Sequence, residues 1–189
     1  MRLAGVALRA ALAAALIAAA GCAAGGSDDS DDDGADETDD DDGAGGGGGG
    51  SNTACGPARG TVVQVIDGDT LELQSGVRIR YLLVDTPENT SEVECYGPES
   101  TQFNVDLVEG EDVALSYEQE CADDYGRVLA YVSVGDREIN SLLVERGFGC
   151  ALYIPPNGEE RREEFESLEA RARADSRGLW GACPENPCN

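Results

Sequence analysis

Residues 61–84, TVVQVIDGDTLELQSGVRIRYLLV, decide the fold of this chain. Three runs rich in β-branched and other apolar residues, 61–66, 70–74 and 77–84, are separated by turn signals at Gly68 and at Ser75-Gly76. This pattern predicts three consecutive strands. Further along the chain, 112–117 and 128–134 predict two more strands, and 98–108, 140–147 and 158–175 predict helices, because apolar residues recur on one side of each. Five strands interrupted by a helix and followed by helices indicate an α+β fold, a small five-stranded Greek-key barrel of OB type with about three covering helices.

Three short motifs bring together residue types suited to one kind of chemistry. They are Asp-Gly-Asp-Thr at 67–70, Arg-Tyr-Leu-Leu-Val-Asp-Thr-Pro-Glu at 80–88 and Asp-Tyr-Gly-Arg at 124–127. The motifs supply carboxylates for a hard metal ion, two arginines for a phosphate and a further glutamate that could activate water. Cleavage of a phosphodiester needs this combination, because a nucleophile must approach an anion and must itself lose a proton.

In the order and spacing of these motifs, the chain resembles the staphylococcal (thermo)nuclease family, from about Thr61 to Trp180. The resemblance implies the same OB-type barrel. It also implies calcium-dependent hydrolysis of DNA and RNA phosphodiester bonds with low sequence specificity. A site that addresses the backbone, and not base edges, discriminates little between sequences.

The resemblance places Asp69, Asp85 and the backbone carbonyl of Thr86 on a calcium ion, with Asp67 supporting these ligands from behind. Calcium takes six to eight oxygen ligands and tolerates irregular geometry, so two carboxylates, a carbonyl and waters suffice. Magnesium and manganese are alternatives. Asp67-Gly68-Asp69 alone would indicate only a hairpin turn, but a second aspartate at the end of the next strand but one favours a metal site.

Arg80 and Arg127 are the candidate phosphate ligands, because a guanidinium offers a rigid, permanently charged donor fork that lysine lacks. Glu88 follows the turn-forming Pro87, and the resemblance gives it the role of general base. Tyr125 matches a tyrosine that lines the nucleotide pocket of the family.

The charge of the chain differs from that of most nucleic-acid-binding proteins. It has no lysine, and 11 of its 38 acidic residues precede Ser51, which leaves 27 against 11 arginines and a net charge of about −16 beyond that point. Most nucleic-acid binders are basic, so we expect weak long-range capture of substrate. A catalytically silent OB-type binding or interaction module is the alternative function, and a calcium-dependent surface stalk would need repeats, which are not visible. We expect a monomer.

The N-terminal segment predicts export. Arg2 and Arg9 flank an alanine/leucine run, 10–20, that is too short to span a bilayer. The following Ala19-Ala20-Gly21-Cys22 resembles a lipobox, so residues 1–22 predict a signal peptide with Cys22 as the lipidated residue. We expect the protein to be lipid-anchored to the bacterial cell envelope, at the outer membrane or cell surface; a secreted protein cleaved nearby is the alternative.

Residues 23–54 predict a disordered tether, since they are dominated by aspartate and glycine and cannot bury apolar surface. Calcium binding by these aspartates is an alternative role. Residues 55–189 then form the nuclease domain, with a length that suits one domain.

The remaining six cysteines, an even number in an exported chain, predict three disulfides. The absence of histidine and of any C-x-x-C pair argues against zinc. Six cysteines allow 15 pairings. Our best prediction is Cys95–Cys121, because each cysteine closely precedes a Tyr-Gly dipeptide in loops that the family brings near the site. Cys183–Cys188 around a short loop and Cys55–Cys150 would complete the set.

Overall fold

Strands of the described residues, 55–185, close into a barrel in this computed structural model. The strands within this range are β1 (Arg59–Asp67), β2 (Thr70–Leu73), β3 (Arg78–Tyr81), β4 (Val84–Asp85), β5 (Asp112–Ser116), β6 (Val128–Val134), β7 (Arg137–Glu138) and β8 (Cys150–Ala151). Antiparallel pairs give the order β3-β2-β1-β5-β6, and β3 pairs parallel with β6, with Arg80 opposite Leu129, to close the ring. The predicted α+β fold with a five-stranded OB-type barrel is confirmed.

Alternation along the strands fills the barrel. In β3, Ile79 and Tyr81 are buried while Arg80 lies on the other face, as the period of two requires. The predicted strand over 77–84 is wrong at its end, because the chain turns at Leu82 and Leu83, and Leu83 has a φ of 61°. Its last residues form β4, which pairs with β8, so that Asp85 leaves the barrel wall.

The three predicted helices cover the barrel. They are α1 (Gly97–Val108), α2 (Ile139–Arg146) and α3 (Arg162–Ala174), the last preceded by a 3-10 turn at Glu159–Arg161 and followed by a short helix, α4 (Leu179–Ala182). Pro98 lies in the first turn of α1, where its missing N–H costs nothing. In α3 the buried residues are Phe165, Leu168 and Ala172, which lie three and four positions apart, as on one face of a helix. α1 packs on β1, while α2 packs on α3 and β6.

The disulfides differ from the prediction. Cys55 is bonded to Cys121, and Cys95 to Cys183, with Cα–Cα distances of 4.8 and 5.9 Å. The predicted pairs Cys95–Cys121, Cys183–Cys188 and Cys55–Cys150 are therefore wrong, although Cys150 is also disulfide-bonded.

Packing explains the two observed pairs. The start of β1 pairs with β5, which carries Cys55 to the loop that follows β5 and contains Cys121. Tyr117 and Pro57 reinforce this approach, because the tyrosine hydroxyl donates to the proline carbonyl at 2.5 Å. Cys95 instead lies just before α1, beside the end of α4.

The predicted signal peptide, its Cys22 and the tether over 23–54 lie outside the described residues. Across 55–185, no helix has the length and apolar character needed to cross a membrane.

Candidate active site

The Asp67–Thr70 turn joins β1 to β2 and is held by a hydrogen bond within the turn and by another from α1. The Asp69 N–H donates to Asp67 Oδ1 at 3.1 Å, and the Asn104 amide donates to the Asp67 carbonyl at 3.2 Å. Asn104 is itself fixed, because the Tyr81 hydroxyl donates to it at 2.9 Å. At Gly68, a Cβ would lie 2.6 Å from the hydroxyl oxygen of Thr86, so only glycine lets the turn approach Thr86, the residue after β4, this closely.

The Asp69 carboxylate is the buried centre of the site, at 5% exposure. Its Oδ2 accepts hydrogen bonds from the Thr86 backbone N–H at 2.9 Å and from the Thr86 hydroxyl at 3.1 Å. The same oxygen pairs with Arg80 at 2.7 Å. Its Oδ1 accepts from the Thr70 hydroxyl at 3.1 Å. The Thr86 bonds join the first motif to the second.

Arg80 bridges the two predicted metal-ligating aspartates. Its Nη1 contacts Asp69 and also donates to the Val84 carbonyl at 2.7 Å, and its Nη2 donates to Asp85 Oδ1 at 2.9 Å. The Arg80 side chain is only 12% exposed, whereas that of Asp85 is 41% exposed. One guanidinium therefore holds both carboxylates close together at the edge of the barrel.

Arg127, the residue directly before β6, joins the same cluster. Its Nη1 donates to the Thr70 hydroxyl oxygen at 3.4 Å, and that hydroxyl donates to Asp69. Its Nε donates to Asp123 Oδ2 at 2.7 Å, and Asp123 Oδ1 accepts the Arg127 and Tyr125 backbone N–H groups. Thr70 thus links the two arginines through one hydrogen-bonded chain.

Glu88 and Tyr125 lie at the exposed mouth of the site. Glu88 is exposed, and its Oε2 accepts from the Thr90 hydroxyl at 3.3 Å. Tyr125 is 86% exposed, and its ring centroid lies 5.5 Å from Cζ of the Arg127 guanidinium. Glu88, Tyr125 and Arg127 line one open depression, and both arginines also line a neighbouring cleft of about 310 Å³. The structure therefore brings the predicted site residues of the described range to one edge of the barrel.

Acidic groups crowd this edge, and the pKa values of Asp67 and Asp85 are raised. Burial, followed by the charge of Asp69, raises the pKa of Asp67 to about 6. Burial is also the main cause that raises the pKa of Asp85; Arg80 opposes it, and the charges of Asp69, Glu88 and Glu94 reinforce it. At Asp123 burial is outweighed by the bonds from Arg127 and the Tyr125 backbone, so its pKa is lowered.

The sequence interpretation missed four residues whose side chains form hydrogen bonds with the predicted site residues: Thr70, Glu94, Asn104 and Asp123. Thr70 is the last residue of the first motif, and Asp123 directly precedes the third, so their place in the sequence was the available signal. Asn104 lies on the buried side of α1 with Gly97, Ser100 and Val108, and a polar residue in such a stripe signals a buried hydrogen bond. Glu94 gave no signal beyond its position in an acidic loop.

Together these features define an OB-type barrel protein with an acidic cluster and two arginines at one edge. The model of the staphylococcal nuclease homologue family matches residues 78–182, and the chain belongs to this family.

Three relatives illustrate the similarity. A thermonuclease of Staphylococcus intermedius is 34% identical over 125 residues, which cover 63% of this chain and 74% of the relative. A thermonuclease of Staphylococcus hyicus is 32% identical over 125 residues, covering 63% and 73%. The endonuclease YncB of Bacillus subtilis strain 168 is 32% identical over 127 residues, covering 64% and 60%, so the match spans less than two thirds of that protein.

Proposed function

We propose that this protein is a calcium-dependent nuclease that hydrolyses DNA and RNA phosphodiester bonds with little sequence preference. The observation that carries the proposal is the Arg80 bridge, in which one guanidinium contacts Asp69 at 2.7 Å and Asp85 at 2.9 Å. The bridge unites, at one point, groups able to bind a cation and a group able to bind a phosphate. Membership of the nuclease family supports the same conclusion.

The donor set fits a hard cation. Within residues 55–185, no three Asp, Glu, Cys or His side chains are grouped so that they could hold a metal ion between them. The proposed protein ligands are therefore two carboxylates, Asp69 and Asp85, with the carbonyl of Thr86. Oxygen ligands of this kind suit calcium, which accepts waters for the rest of its coordination. The mutual repulsion of Asp69, Asp85 and Glu88 also favours a divalent cation here. When bound, calcium would neutralise charge on the phosphate and on the attacking oxygen.

The two arginines would bind the phosphate by exchanging partners. Arg80 can turn donors from Asp85 toward a phosphate oxygen while it keeps its bond to the Val84 carbonyl. Arg127 can do the same from Asp123, because the Asp123 carboxylate retains two backbone N–H donors after the guanidinium leaves it. Each planar guanidinium then contacts two oxygens of the phosphate, whose charge grows as the nucleophile approaches.

Glu88 would act as the general base. Its carboxylate is exposed beside Arg127 and Tyr125, so it can meet both solvent and substrate. Glu88 takes a proton from water, the water oxygen bonds to phosphorus, and the bond from phosphorus to the leaving oxygen breaks; the leaving oxygen takes a proton from solvent. A positioned carboxylate base contributes about 10²–10⁴-fold to the rate. Tyr125 would contact the nucleoside at the mouth of the cleft.

A cleavage assay tests this function. The full chain should cut end-labelled single-stranded DNA and RNA of mixed sequence with calcium, and should stop when a chelator is added. Asp85→Asn is the matched variant, because the Asp85 side chain is 41% exposed; it should fold like the wild type and lose calcium-dependent cleavage. Binding of DNA without cleavage under all conditions would favour the catalytically silent module instead.

We also propose that the protein is exported and lipid-anchored through Cys22, with residues 23–54 as a tether. The support is the sequence pattern at 10–22. Expression in a bacterial host with a radiolabelled fatty acid should label the wild type, whereas Cys22→Ser should lose the label and leave the membrane fraction. Equal labelling of both would contradict the anchor.

A further inference from the structure

In the loop between Glu88 and α1, Tyr96 directly precedes the helix, and its ring centroid lies 5.5 Å from that of Phe148. The rest of the loop has no apolar anchor. Residues 90–95 are all exposed, and Val93, its one aliphatic side chain, is 70% exposed. Burial therefore does little to order this loop, although it begins at the proposed general base. Its order must come from hydrogen bonds and from covalent links.

Glu94 closes the loop onto Glu88. Its Oε2 accepts the Glu88 backbone N–H at 2.8 Å, and its own N–H donates to the Glu88 carbonyl at 2.9 Å. The Glu94 carbonyl then accepts the Gly97 N–H at 3.1 Å. A Cβ at Gly97 would lie 2.2 Å from the Glu88 carbonyl oxygen, so glycine is required for this close approach. Both backbone polar groups of Glu88 are thus held by one residue.

The next residue, Cys95, fixes the loop to the packed part of the protein. Its disulfide partner Cys183 follows α4, where Leu179 is fully buried. The Leu179 N–H donates to the Gly147 carbonyl at 2.8 Å, which holds α4 against the end of α2. The disulfide therefore joins an exposed loop to a well-anchored helix.

We propose that Glu94 and the Cys95–Cys183 disulfide position Glu88, and that reduction of this disulfide lowers activity. The proposal rests on the proposed function, since it assigns Glu88 as the base. A dithiol reductant delivers two electrons and two protons, the S–S bond breaks, two thiols form, and the reductant closes to its own disulfide. The loop then loses its covalent link, and Glu88 loses its fixed place relative to the arginines. The enzyme would be fully active only in an oxidising environment.

Substitution at Glu94 separates positioning from charge. Glu94→Ala removes the acceptor, so we expect kcat to fall about tenfold with little change in KM, because a shift of about 1 Å in a catalytic group costs up to about 10²-fold. Glu94→Gln keeps a side-chain oxygen for the Glu88 N–H and should retain most of the activity. Glu92→Ala removes an exposed charge from the same loop and is the control. Equal losses in Glu94→Gln and Glu94→Ala would overturn the positioning role.

A double-mutant cycle asks whether Glu94 acts through Glu88. In a Glu88→Gln background the further change Glu94→Ala should have no effect on kcat, because no base remains to be positioned. A tenfold loss in both backgrounds would show that Glu94 acts independently of Glu88 and would overturn the proposal.

We call the Glu94 hydrogen bonds to Glu88 and the Cys95–Cys183 disulfide the clamp. Hydrogen exchange tests this clamp without any activity measurement. In Cys95→Ser/Cys183→Ser, amides of the peptide 86–97 should exchange at least about tenfold faster, while those of β2 should keep wild-type rates. The kcat of Cys95→Ser/Cys183→Ser should fall as it does in Glu94→Ala. Unchanged exchange in 86–97 would refute the clamp. An inactive wild type would refute only the proposed function, because the exchange result stands by itself. If the disulfide variant does not fold, exchange in Glu94→Ala decides the question.

Discussion

The candidate site has two halves that are supported in different ways. In the buried half, Asp69 and Thr86 are 5% and 7% exposed, and strands and turns fix each polar atom by hydrogen bonds. The exposed half contains Asp85, Glu88, Tyr125 and Arg127. The side chains of Asp85 and Arg127 are 41% and 28% exposed, Tyr125 is 86% exposed, and Glu88 begins an exposed loop. Here Cys55–Cys121 and Cys95–Cys183 hold the loops to the barrel and helices.

This difference predicts which substitutions should reduce both stability and activity and which should reduce activity alone. A change in the buried half disturbs groups that have little access to water, so it should cost folding free energy as well as activity. A change in the exposed half should cost activity alone, because water replaces the lost partner. Matched pairs of residues, one from each half, test this comparison.

The largest effect is expected at the two aspartates. Asp69→Asn and Asp85→Asn should each lower calcium-dependent cleavage by at least about 10³-fold. Each substitution removes a negatively charged ligand of the cation and weakens the contacts that hold Arg80. Only Asp69→Asn should also lower the free energy of unfolding, by about 3 kcal/mol, because it breaks a buried ion pair. Cleavage assays and urea unfolding with chelator measure the two effects. Equal stability losses would erase the distinction between the halves.

The two arginines provide the second pair. Arg80→Lys and Arg127→Lys should each slow cleavage by about 10²–10³-fold, because lysine cannot present a planar fork to the phosphate. Arg80→Lys should further destabilise the fold by about 1–3 kcal/mol, since it leaves buried acceptors unsatisfied. Arg127→Lys should not. Cleavage kinetics measure the first effect, and chemical denaturation measures the second. Near wild-type turnover in both variants would show that the arginines have a structural role and do not bind the phosphate.

A smaller effect concerns pH and Asp67. Its pKa is about 6 in the folded protein against an ordinary 3.8, so the native state holds this proton more tightly than the unfolded chain does. The resulting stabilisation is complete below about pH 4 and is lost as the pH rises through 6. Asp67→Asn cannot ionise, so it should become more stable than the wild type by on the order of 1–3 kcal/mol between pH 4 and 7. Thermal unfolding with chelator measures this difference; a pH-independent difference would exclude Asp67 as its source.

The smallest effect concerns salt. With a net charge of about −16 from Ser51 onward, long-range forces repel nucleic acid, and only short-range contacts attract it. Raising the salt from 0.01 to 0.1 M shortens the Debye length from ~30 to ~10 Å and screens the repulsion first. At saturating calcium, kcat/KM on single-stranded DNA should therefore stay flat or rise by no more than about twofold. A steep decline would reveal a local basic surface that captures the substrate.

Much of the buried half could be predicted from the sequence. Strand periodicity predicted the barrel, and the Asp-Gly-Asp-Thr motif at 67–70 marked the turn that carries Asp69. These are local patterns, and the short connections between strands leave few ways to arrange them.

The exposed half could not be predicted in the same way. The disulfides join segments separated by 66 and 88 residues, and a cysteine carries no sequence signal of its partner. The Glu94 bonds arise from a loop without periodicity. The buried turn at Leu82 and Leu83 was missed for a similar reason, because its Leu82 carbonyl accepts a hydrogen bond from the Asn140 amide, 58 residues further along the chain.

Cleavage of single-stranded DNA in oxygen-18 water tests the central claim most directly. Water activated by Glu88 should place one oxygen-18 on the new terminal phosphate at each break, only with calcium, and Glu88→Gln should cut about 10²-fold or more slowly with the same labelling. Breaks whose phosphates carry no oxygen-18, or equal cleavage in the presence of a chelator, would contradict calcium-dependent hydrolysis at this site.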